Sequence, residues 1–248
     1  MKNILKVFKQ KWAEYLLELF VIIVGIVAAF ALNNWHEVRK SDNEEHNLLI
    51  AHKEEIETNI SFVDSEIASN SVKVEQIAEF IKLFRPENES VTEEQIAINF
   101  KNALSSYSYF EPAEGLIKET MNSGKLSLIQ NSKLRGQLSL WDSKLVPLRQ
   151  QEQLIITKHD ICFDYALNHG DFRRMREITE KDKNTWYAML GQNKFNDTSN
   201  KYLIQSKEYE NHLVYYMGAT YYLNDYYETF KNYMVNIEEL IDGELVNR

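Results

Sequence analysis

The sequence contains little of what a many-stranded fold needs at its turns, with only 3 prolines and 8 glycines among 248 residues. Strand connections rely on these residue types, so their scarcity argues against a β architecture and favours an all-helical protein. The single cysteine, Cys162, cannot form an internal disulfide. The formal net charge of −9 argues against nucleic acid as a partner and against docking on an anionic lipid surface.

Sequence motifs of known catalytic sites are absent as well. The chain has no HExxH, CxxC, GxGxxG or GxSxG pattern and no phosphate-binding loop of the GxxxxGKS or GxxxxGKT type. None of the six histidines follows a glutamate at the spacing that di-iron bundles use. We therefore expect no enzyme activity, no cofactor and no bound metal.

One metal alternative rests on His159 and Cys162, which lie three residues apart on a predicted helix. They could supply two ligands to a soft metal, but no nearby residue supplies the others. Both also fall on the apolar face of that helix. A packed histidine and cysteine is therefore the favoured interpretation.

The one long apolar run is Tyr15–Asn34, in which Glu18 is the only charged residue between Leu16 and Leu32. About 17 to 20 apolar residues, at a rise of about 1.5 Å each, span a hydrocarbon core of roughly 30 Å. We expect a transmembrane signal-anchor helix over residues 15–35, in contact with the lipid bilayer. Residues 1–14 then form a basic cytoplasmic tail.

A cleaved signal peptide is the alternative, because Ala29-Phe30-Ala31 fits a small-x-small cleavage pattern after an apolar region. The run is long for such a region. Asn33, Asn34 and Trp35 also resemble the interfacial anchor at the far end of a retained helix. These residues favour the anchor.

The flanks of the run indicate its orientation. Four lysines precede it in a short tail, at positions 2, 6, 9 and 11, whereas only Arg39 and Lys40 follow closely. Lys and Arg near a span are enriched on the cytoplasmic side. The pattern predicts a single-pass protein with a cytoplasmic N-terminus and a periplasmic or extracytoplasmic body.

Within the run, Glu18, Gly25, Ala28 and Ala29 fall on one helix face. Small residues let helix backbones approach closely in lipid, so we expect this face to be a membrane helix interface. Two interpretations of Glu18 stay open. It either reaches the cytoplasmic headgroups or forms a partly buried, protonated carboxyl that bonds a neighbouring helix or serves an ion pathway.

Residues 36–85 are predicted to continue this helix as a long stalk, because no glycine or proline occurs between Trp35 and Phe84. Apolar residues follow a coiled-coil-like heptad spacing, with His46, Lys53 and Asn70 as polar exceptions. The apolar positions are Leu49, Ile56, Ile60, Val63, Ile67, Val74, Ile77, Ile81 and Phe84. This face either assembles several chains or packs against later helices of its own chain, and the sequence favours neither.

Residues 86–248 are predicted to form a helical bundle that packs with the stalk. Ser90 with Glu93 indicates a capping box at the start of a short helix, and Pro112 indicates the first turn of another. Gly124 is expected to end that helix, and Asn131 to cap the next one.

The helix after Asn131 should be kinked or split at Pro147 and closed by His169-Gly170. A short helix at Trp186–Leu190 and a turn at Asn193–Asn200 follow. A last long helix is predicted from about Thr198 to Leu240. Its apolar face comprises Tyr202, Tyr209, Leu213, Tyr216, Leu223, Tyr227, Phe230, Met234, Ile237 and Ile241.

A basic cluster, Arg173, Arg174 and Arg176, is the one candidate anion contact. Guanidinium groups bind phosphate and carboxylate well. In an acidic body such a cluster more often pairs with neighbouring carboxylates, and both interpretations stay open.

The apolar run resembles the membrane segment of an uncharacterised family of bacterial single-span proteins, a domain of unknown function. That segment reads Gly-Glu, seven residues to Gly-Ile, then Asn-Asn-Trp-x-Glu. Here it is matched by Glu18, Gly25, Ile26, Asn33, Asn34, Trp35 and Glu37, with Leu17 in place of the glycine. Residues 123–135 resemble a second stretch of the same family. The resemblance implies no activity.

We therefore expect a structural or interaction component of the cell envelope, working as a homo-oligomer or with an envelope protein partner. Hydrophobic helix faces and a small-residue membrane face are features that such assemblies require. The alternative is a sensor-like module whose helical bundle binds a ligand near Trp141, Tyr216 or the three arginines.

Overall fold

The computed structural model describes residues 2–85, 90–180, 189 and 198–246, with the side chains of residue 12 and from residue 14 onward. The described residues are almost all helical and contain no strand, which confirms the predicted all-helical class. The helices are α1 (Lys2–Lys82), α2 (Glu93–Leu104), α3 (Gly115–Ser123), α4 (Ser132–Ser139), α5 (Trp141–His169), α6 (Phe172–Thr179), α7 (Lys201–Ile204) and α8 (Lys207–Val246). A short 3-10 helix, Lys125–Leu128, precedes α4.

Helix α1 is continuous and has two unlike halves. Residues 14–40 are exposed along their whole length, and this half is long and apolar enough to cross a membrane. From Glu45 onward one side of the helix is buried, including Leu49, Ile56, Val63 and Ile77, which are fully covered. One helix therefore joins an exposed apolar segment to the core of the body.

Three long helices form the frame of the body. Helix α8 runs antiparallel to α1, since Lys53 pairs with Asp242 near one end and Phe80 contacts Tyr209 near the other. Helix α5 lies against α8 on its other side, and the short α2, α3 and α4 complete the bundle. The apolar face of α1 is thus covered by its own chain, one of the two arrangements that the sequence left open.

The heptad register predicted for α1 is correct at Leu49, Ile56, Val63 and Ile77, but the alternate positions of the inner face fall one residue earlier than predicted. The positions that face inward are 49, 52, 56, 59, 63, 70, 73, 77 and 80, all of which are buried. Ile60, Ile67 and Ile81, which the apolar pattern placed on the seam, are only partly buried at its side. The pattern failed because several inner positions carry polar residues.

Three predicted helix ends are confirmed. Gly124 ends α3 with φ of 79°, a left-handed conformation that favours glycine. The Asn131 side chain accepts hydrogen bonds from the first amides of α4. Helix α5 ends at His169, and a Cβ on Gly170 would lie 2.8 Å from the Leu203 side chain. Only glycine allows this close approach.

Two helix starts differ from the prediction. The capping box of α2 is formed by Thr92 and Gln95 rather than by Ser90 and Glu93. The helix expected at Pro112 begins at Gly115 instead. The N–H and carbonyl groups of Ala113 both bond to the Asn59 side chain, at 2.7 Å each, and these bonds hold that residue out of a helix.

The later chain also departs from the prediction. Helix α5 passes through Pro147 without a break, and the interruption lies earlier, at Leu140. Proline has no N–H, so the carbonyl of Ser143 loses its helical partner at position 147. Ser143 is exposed in the first turn of α5, so water can bond to this carbonyl instead. Helix α8 starts only after Ser206, so Tyr202 lies on the separate α7 and is exposed.

The other residues predicted for the inner face of α8 are buried, as expected. The helix predicted at Trp186–Leu190 lies, apart from Met189, outside the described residues. The same holds for most of the turn predicted at Asn193–Asn200.

Replacing Ile56 with alanine tests whether this face of α1 is packed in the core. Ile56 is fully buried, so the cavity should lower the free energy of unfolding by about 2–5 kcal/mol. Val72 on the same helix is 51% exposed, and Val72→Ala should change it by less than about 0.5 kcal/mol. Urea unfolding followed by Trp141 fluorescence measures both. If both variants changed the free energy of unfolding by the same small amount, the packing of α1 would be contradicted.

Candidate functional site

The four residues predicted as a membrane helix interface, Glu18, Gly25, Ala28 and Ala29, lie on the exposed half of α1. Their spacing places them on one face of the helix. A Cβ built on Gly25 meets no atom within 4 Å. Nothing in the described part of the chain covers this face, so its role in association stays a prediction.

The predicted interfacial anchor lies at the end of the apolar run. The Asn33 amide donates to Glu37 at 3.0 Å. The Arg39 guanidinium lies 5.4 Å from the centre of the Trp35 ring, and Asn34 is exposed. These contacts connect the apolar run to the first charged turns beyond it.

The three arginines lie on or beside α6, and each faces a carboxylate. Arg173 approaches Glu177 at 3.4 Å, and Arg176 approaches Glu180 at 2.7 Å. Arg174 lies 3.8 Å from Glu93 on α2 and also donates to the carbonyl of Thr198. The cluster therefore pairs with neighbouring acids, and this geometry favours the structural interpretation over an anion site.

His159 and Cys162 do not form the start of a metal site. Both ring nitrogens of His159 have protein partners, the carbonyl of Leu104 and the carboxylate of Asp160, each at 3.0 Å. Cys162 is fully buried, and burial raises the pKa of its thiol to about 12. A metal needs the thiolate form. Among the described residues no group of three or more metal-ligating side chains occurs.

The most unusual feature of the core is a row of polar side chains on α1. His52, Asn59, Glu66 and Lys73 are spaced seven residues apart, so they form one line along the inner side of the helix. Three of them are buried, and Glu66 is partly buried. We call these four residues the polar row.

Each member of the polar row faces α2, α3 or the chain that joins them. His52 lies 3.0 Å from the Thr120 hydroxyl, and Asn59 makes two hydrogen bonds with the backbone of Ala113. Glu66 faces the backbone amide of Tyr109, and Lys73 donates to the carbonyl of Asn102 at 2.6 Å. The row therefore aligns α1 with residues 105–114, here called the extended segment, and with the helices on either side of it.

Helix α5 holds the extended segment from the opposite side. The buried carboxylate of Glu152 accepts from the backbone N–H of Phe110 at 2.8 Å, and Arg149 donates to the Phe110 carbonyl at 2.6 Å. Arg149 and Glu152 also pair with each other at 2.7 Å. The Tyr227 hydroxyl of α8 donates to Glu152 at 3.2 Å. These polar groups satisfy a backbone that has no helical hydrogen bonds of its own.

Burial perturbs the acid–base behaviour of the polar row. It lowers the pKa of His52 to about 4 and also lowers the pKa of Lys73. It raises the pKa of Glu66, although the Tyr109 amide acts in the opposite direction. In each case the uncharged form is favoured, as expected for groups placed in a low-dielectric core.

The residues near which a ligand was expected do not form a binding site in the described part of the chain. Trp141 and Tyr216 are fully buried, and Trp141 packs on Phe230 with ring centres 5.1 Å apart. An open groove of about 780 Å³ lies instead between α5 and α8. Three tyrosines line this groove, Tyr215, Tyr222 and Tyr226, together with Gly218 and Asp225. We call it the α5/α8 groove.

Sequence reasoning missed both the polar row and the α5/α8 groove. The row was visible as a seven-residue repeat of His, Asn, Glu and Lys, but polar residues are normally assigned to the surface. The groove tyrosines were not separated from the buried ones. Tyr209, Tyr216 and Tyr227 occupy the inner face of α8. Tyr215 and Tyr222 each come one residue before a buried position and therefore lie at the side of that face.

Comparison with known proteins gives one match. The model of a family of unknown function matches residues 18–146, which is more than half of the 248-residue chain. The matched range includes both stretches on which the sequence resemblance rests. No curated protein and no solved structure matches the chain.

The His52→Gln variant tests the buried state of the polar row. Between about pH 6.5 and pH 4, His52 binds a proton in the unfolded chain but stays neutral in the folded protein. The free energy of unfolding should therefore fall as the pH falls through this range. The full effect is about 3 kcal/mol, at ~1.36 kcal/mol per pKa unit. Glutamine should remove this part of the pH dependence.

Urea unfolding at a series of pH values between 7 and 4 measures the effect. His46→Gln is the matched control, because His46 is exposed on the same helix and its loss should leave the wild-type profile unchanged. A His52→Gln profile that runs parallel to the wild type would show that His52 titrates normally in the folded protein.

Proposed function

The chain belongs to this family of unknown function, DUF6090, and we propose that it acts as a structural or interaction component of the cell envelope. In this proposal it is a single-pass membrane protein and not an enzyme. The observation that carries the proposal is the division of α1. One half of this single helix is apolar and fully exposed, and the other half forms the core of a closed body.

The exposed half needs an apolar environment. Residues 14–40 include large side chains such as Phe20, Val27, Phe30 and Leu32, each more than 60% exposed. Soluble proteins rarely expose a continuous apolar surface of this extent, whereas a lipid bilayer covers it. The lysines before the run support a cytoplasmic N-terminus, and the acidic body then lies on the periplasmic or outer side.

The way the body is closed supports assembly through the membrane segment. The inner face of α1 is already covered by α2, α3 and α8, so it has no apolar seam left for a second chain. The face with Glu18, Gly25, Ala28 and Ala29 has no such cover. We assign homo-oligomer formation or contact with an envelope protein to this face.

The absence of catalytic motifs supports a non-enzymatic role, and so does the use of the buried polar groups. Glu152 and Asn59 bond to the backbone of the extended segment, Lys73 bonds to a carbonyl of α2, and His52 contacts a hydroxyl of α3. Groups committed in this way hold the fold in place and are not directed into a cavity. These groups therefore have a structural role in this proposal.

A second candidate function is a sensor-like module that binds a ligand through its extracytoplasmic bundle. The specific observation in its favour is the α5/α8 groove, an open apolar cavity of about 780 Å³ on the outer side of the bundle. This volume lies within the range of roughly 300–1,000 Å³ that is typical of small-molecule sites. Output would require a membrane partner.

The mass of the intact protein in mild detergent, with the detergent contribution subtracted, tests the scaffold proposal. We expect an oligomer for the full chain and a monomer for a shortened chain that begins at Asp42, because the body closes its own core. Light scattering coupled to size exclusion measures both. Two monomers would remove the support for homo-oligomer formation, and two oligomers would place the contact in the body.

Gly25→Leu tests the membrane face directly. The added side chain meets nothing within a single chain, so it should leave the monomer intact but hold two helices apart. We expect the dissociation constant in detergent to rise about tenfold or more, which corresponds to about 1.4 kcal/mol. Val27→Leu, on the opposite face, is the control and should change association little. Equal behaviour of the two variants would contradict the assigned face.

A further inference from the structure

We propose that the α5/α8 groove is a binding site for organic cations, in which an amine or quaternary ammonium group is carried on a small apolar or aromatic body. The groove extends along α8 from Asn211 to Thr229, with Gln151 and Leu154 of α5 on the other wall. This inference goes beyond the scaffold role and does not depend on it.

The walls of the groove are suited to an apolar ligand. Tyr222 is 58% exposed and Tyr215 is 55% exposed, although both lie in the middle of a long helix packed in a bundle. Between them Gly218 has no side chain, and a Cβ there would meet nothing within 4 Å. The missing side chain opens a gap between two tyrosine rings, and water there can be displaced by an apolar group.

The charge of the groove selects the sign of the ligand. Asp225 is the one acidic or basic residue among the described residues that line the groove, and the Lys158 ammonium lies at its edge, over the Tyr215 ring. The Asp225 carboxylate forms no ion pair and no hydrogen bond with any other described residue. The Thr229 hydroxyl donates to the backbone carbonyl of Asp225 and leaves its side chain unengaged. A cation bound beside it would gain a partner that the fold does not supply.

Tyrosine rings in this part of the protein already bind cations. The Lys158 ammonium lies 4.6 Å from the centre of the Tyr215 ring, at the edge of the groove. On the same α5 helix the Arg149 guanidinium lies 4.7 Å from the centre of the Tyr109 ring. Cations within about 6 Å of an aromatic ring centre are attracted by its negative face. Tyr222 and Tyr226 line the groove beside Asp225 and have no such internal cation among the described residues.

A second copy of the chain is a less suitable occupant. If both copies are anchored in one membrane, their α8 helices run in the same direction, and a symmetric contact through this groove brings the two Asp225 carboxylates together. Like charges placed opposite each other oppose association. An anionic ligand meets the same repulsion, whereas a small cation does not.

Isothermal titration of the full chain in phosphatidylcholine nanodiscs tests the proposal. The probe is benzyltrimethylammonium chloride, and the controls are benzyl alcohol, phenylacetate and empty nanodiscs. We expect saturable binding of the cation, with binding of the alcohol and of phenylacetate at least about tenfold weaker. No binding of the cation, or equal binding of all three probes, would overturn the proposal.

Two variants locate the site. Asp225→Asn keeps the shape of an exposed side chain and should weaken binding about fivefold, as expected for an exposed charge pair. Gly218→Leu fills the gap between the tyrosines and should weaken it about tenfold or more. Glu228→Gln, on the same helix but outside the groove, is the matched control and should bind like the wild type.

Urea unfolding of each variant confirms that the fold is retained. Wild-type affinity in both Asp225→Asn and Gly218→Leu would show that the cation binds elsewhere and would contradict the assignment. Because the readout is binding and not mass, a monomeric but cation-binding protein would refute homo-oligomer formation alone. An oligomer that binds no cation would refute the groove alone.

Discussion

The fold depends on how the extended segment, residues 105–114, satisfies its backbone. A helix provides its own hydrogen bonds, but a chain in this conformation leaves N–H and carbonyl groups without local partners, and burying them unpaired costs about 1–3 kcal/mol each. Asn59 and Lys73 on one side and Glu152 and Arg149 on the other bond to this segment or its immediate neighbours. The polar side chains that bond to this segment are therefore a consequence of replacing a fourth long helix with two short ones and a linker.

The spacing of these contacts fixes how the elements align. Asn59 and Glu66 are about 10.5 Å apart along α1, at about 1.5 Å per residue, and their partners Ala113 and Tyr109 span about 13 Å of extended chain. His52 and Asn59 match partners seven residues apart, Ala113 and Thr120. Two helices that meet through a purely apolar heptad seam can shift by seven residues at little cost in free energy. Buried polar groups find their hydrogen-bond partners in only one alignment. We infer that the apolar core supplies most of the stability and that the polar row defines the register.

This division explains what the sequence could predict. The apolar face of α8 and the ends at Gly124 and His169 follow from local spacing and backbone preference, and all were predicted correctly. The register of α1 and the start of α3 depend on partners far away in the sequence, such as Asn59 with Ala113, which no local signal reveals. Likewise, the groove depends on which tyrosines of α8 face α5 and which face outward, so it could be recognised only once the helices were placed side by side.

The junction between the two halves of α1 is held by local contacts as far as Lys40, and the Gln130 side chain of the body donates to Asp42 at 3.0 Å just beyond it. In lipid the backbone must be helical to satisfy its own polar groups, and in the body packing imposes the same geometry. Between Trp35 and Lys40 neither constraint acts among the described residues, and the helix is supported by neighbouring pairs such as Asn33 with Glu37 and Lys40 with Glu44. Such pairs contribute roughly 0.2–0.5 kcal/mol each, so they hold the helix together only because both ends are already fixed. The angle between the body and the exposed apolar segment is consequently set by about two exposed turns, whose bending would move the whole bundle as one unit.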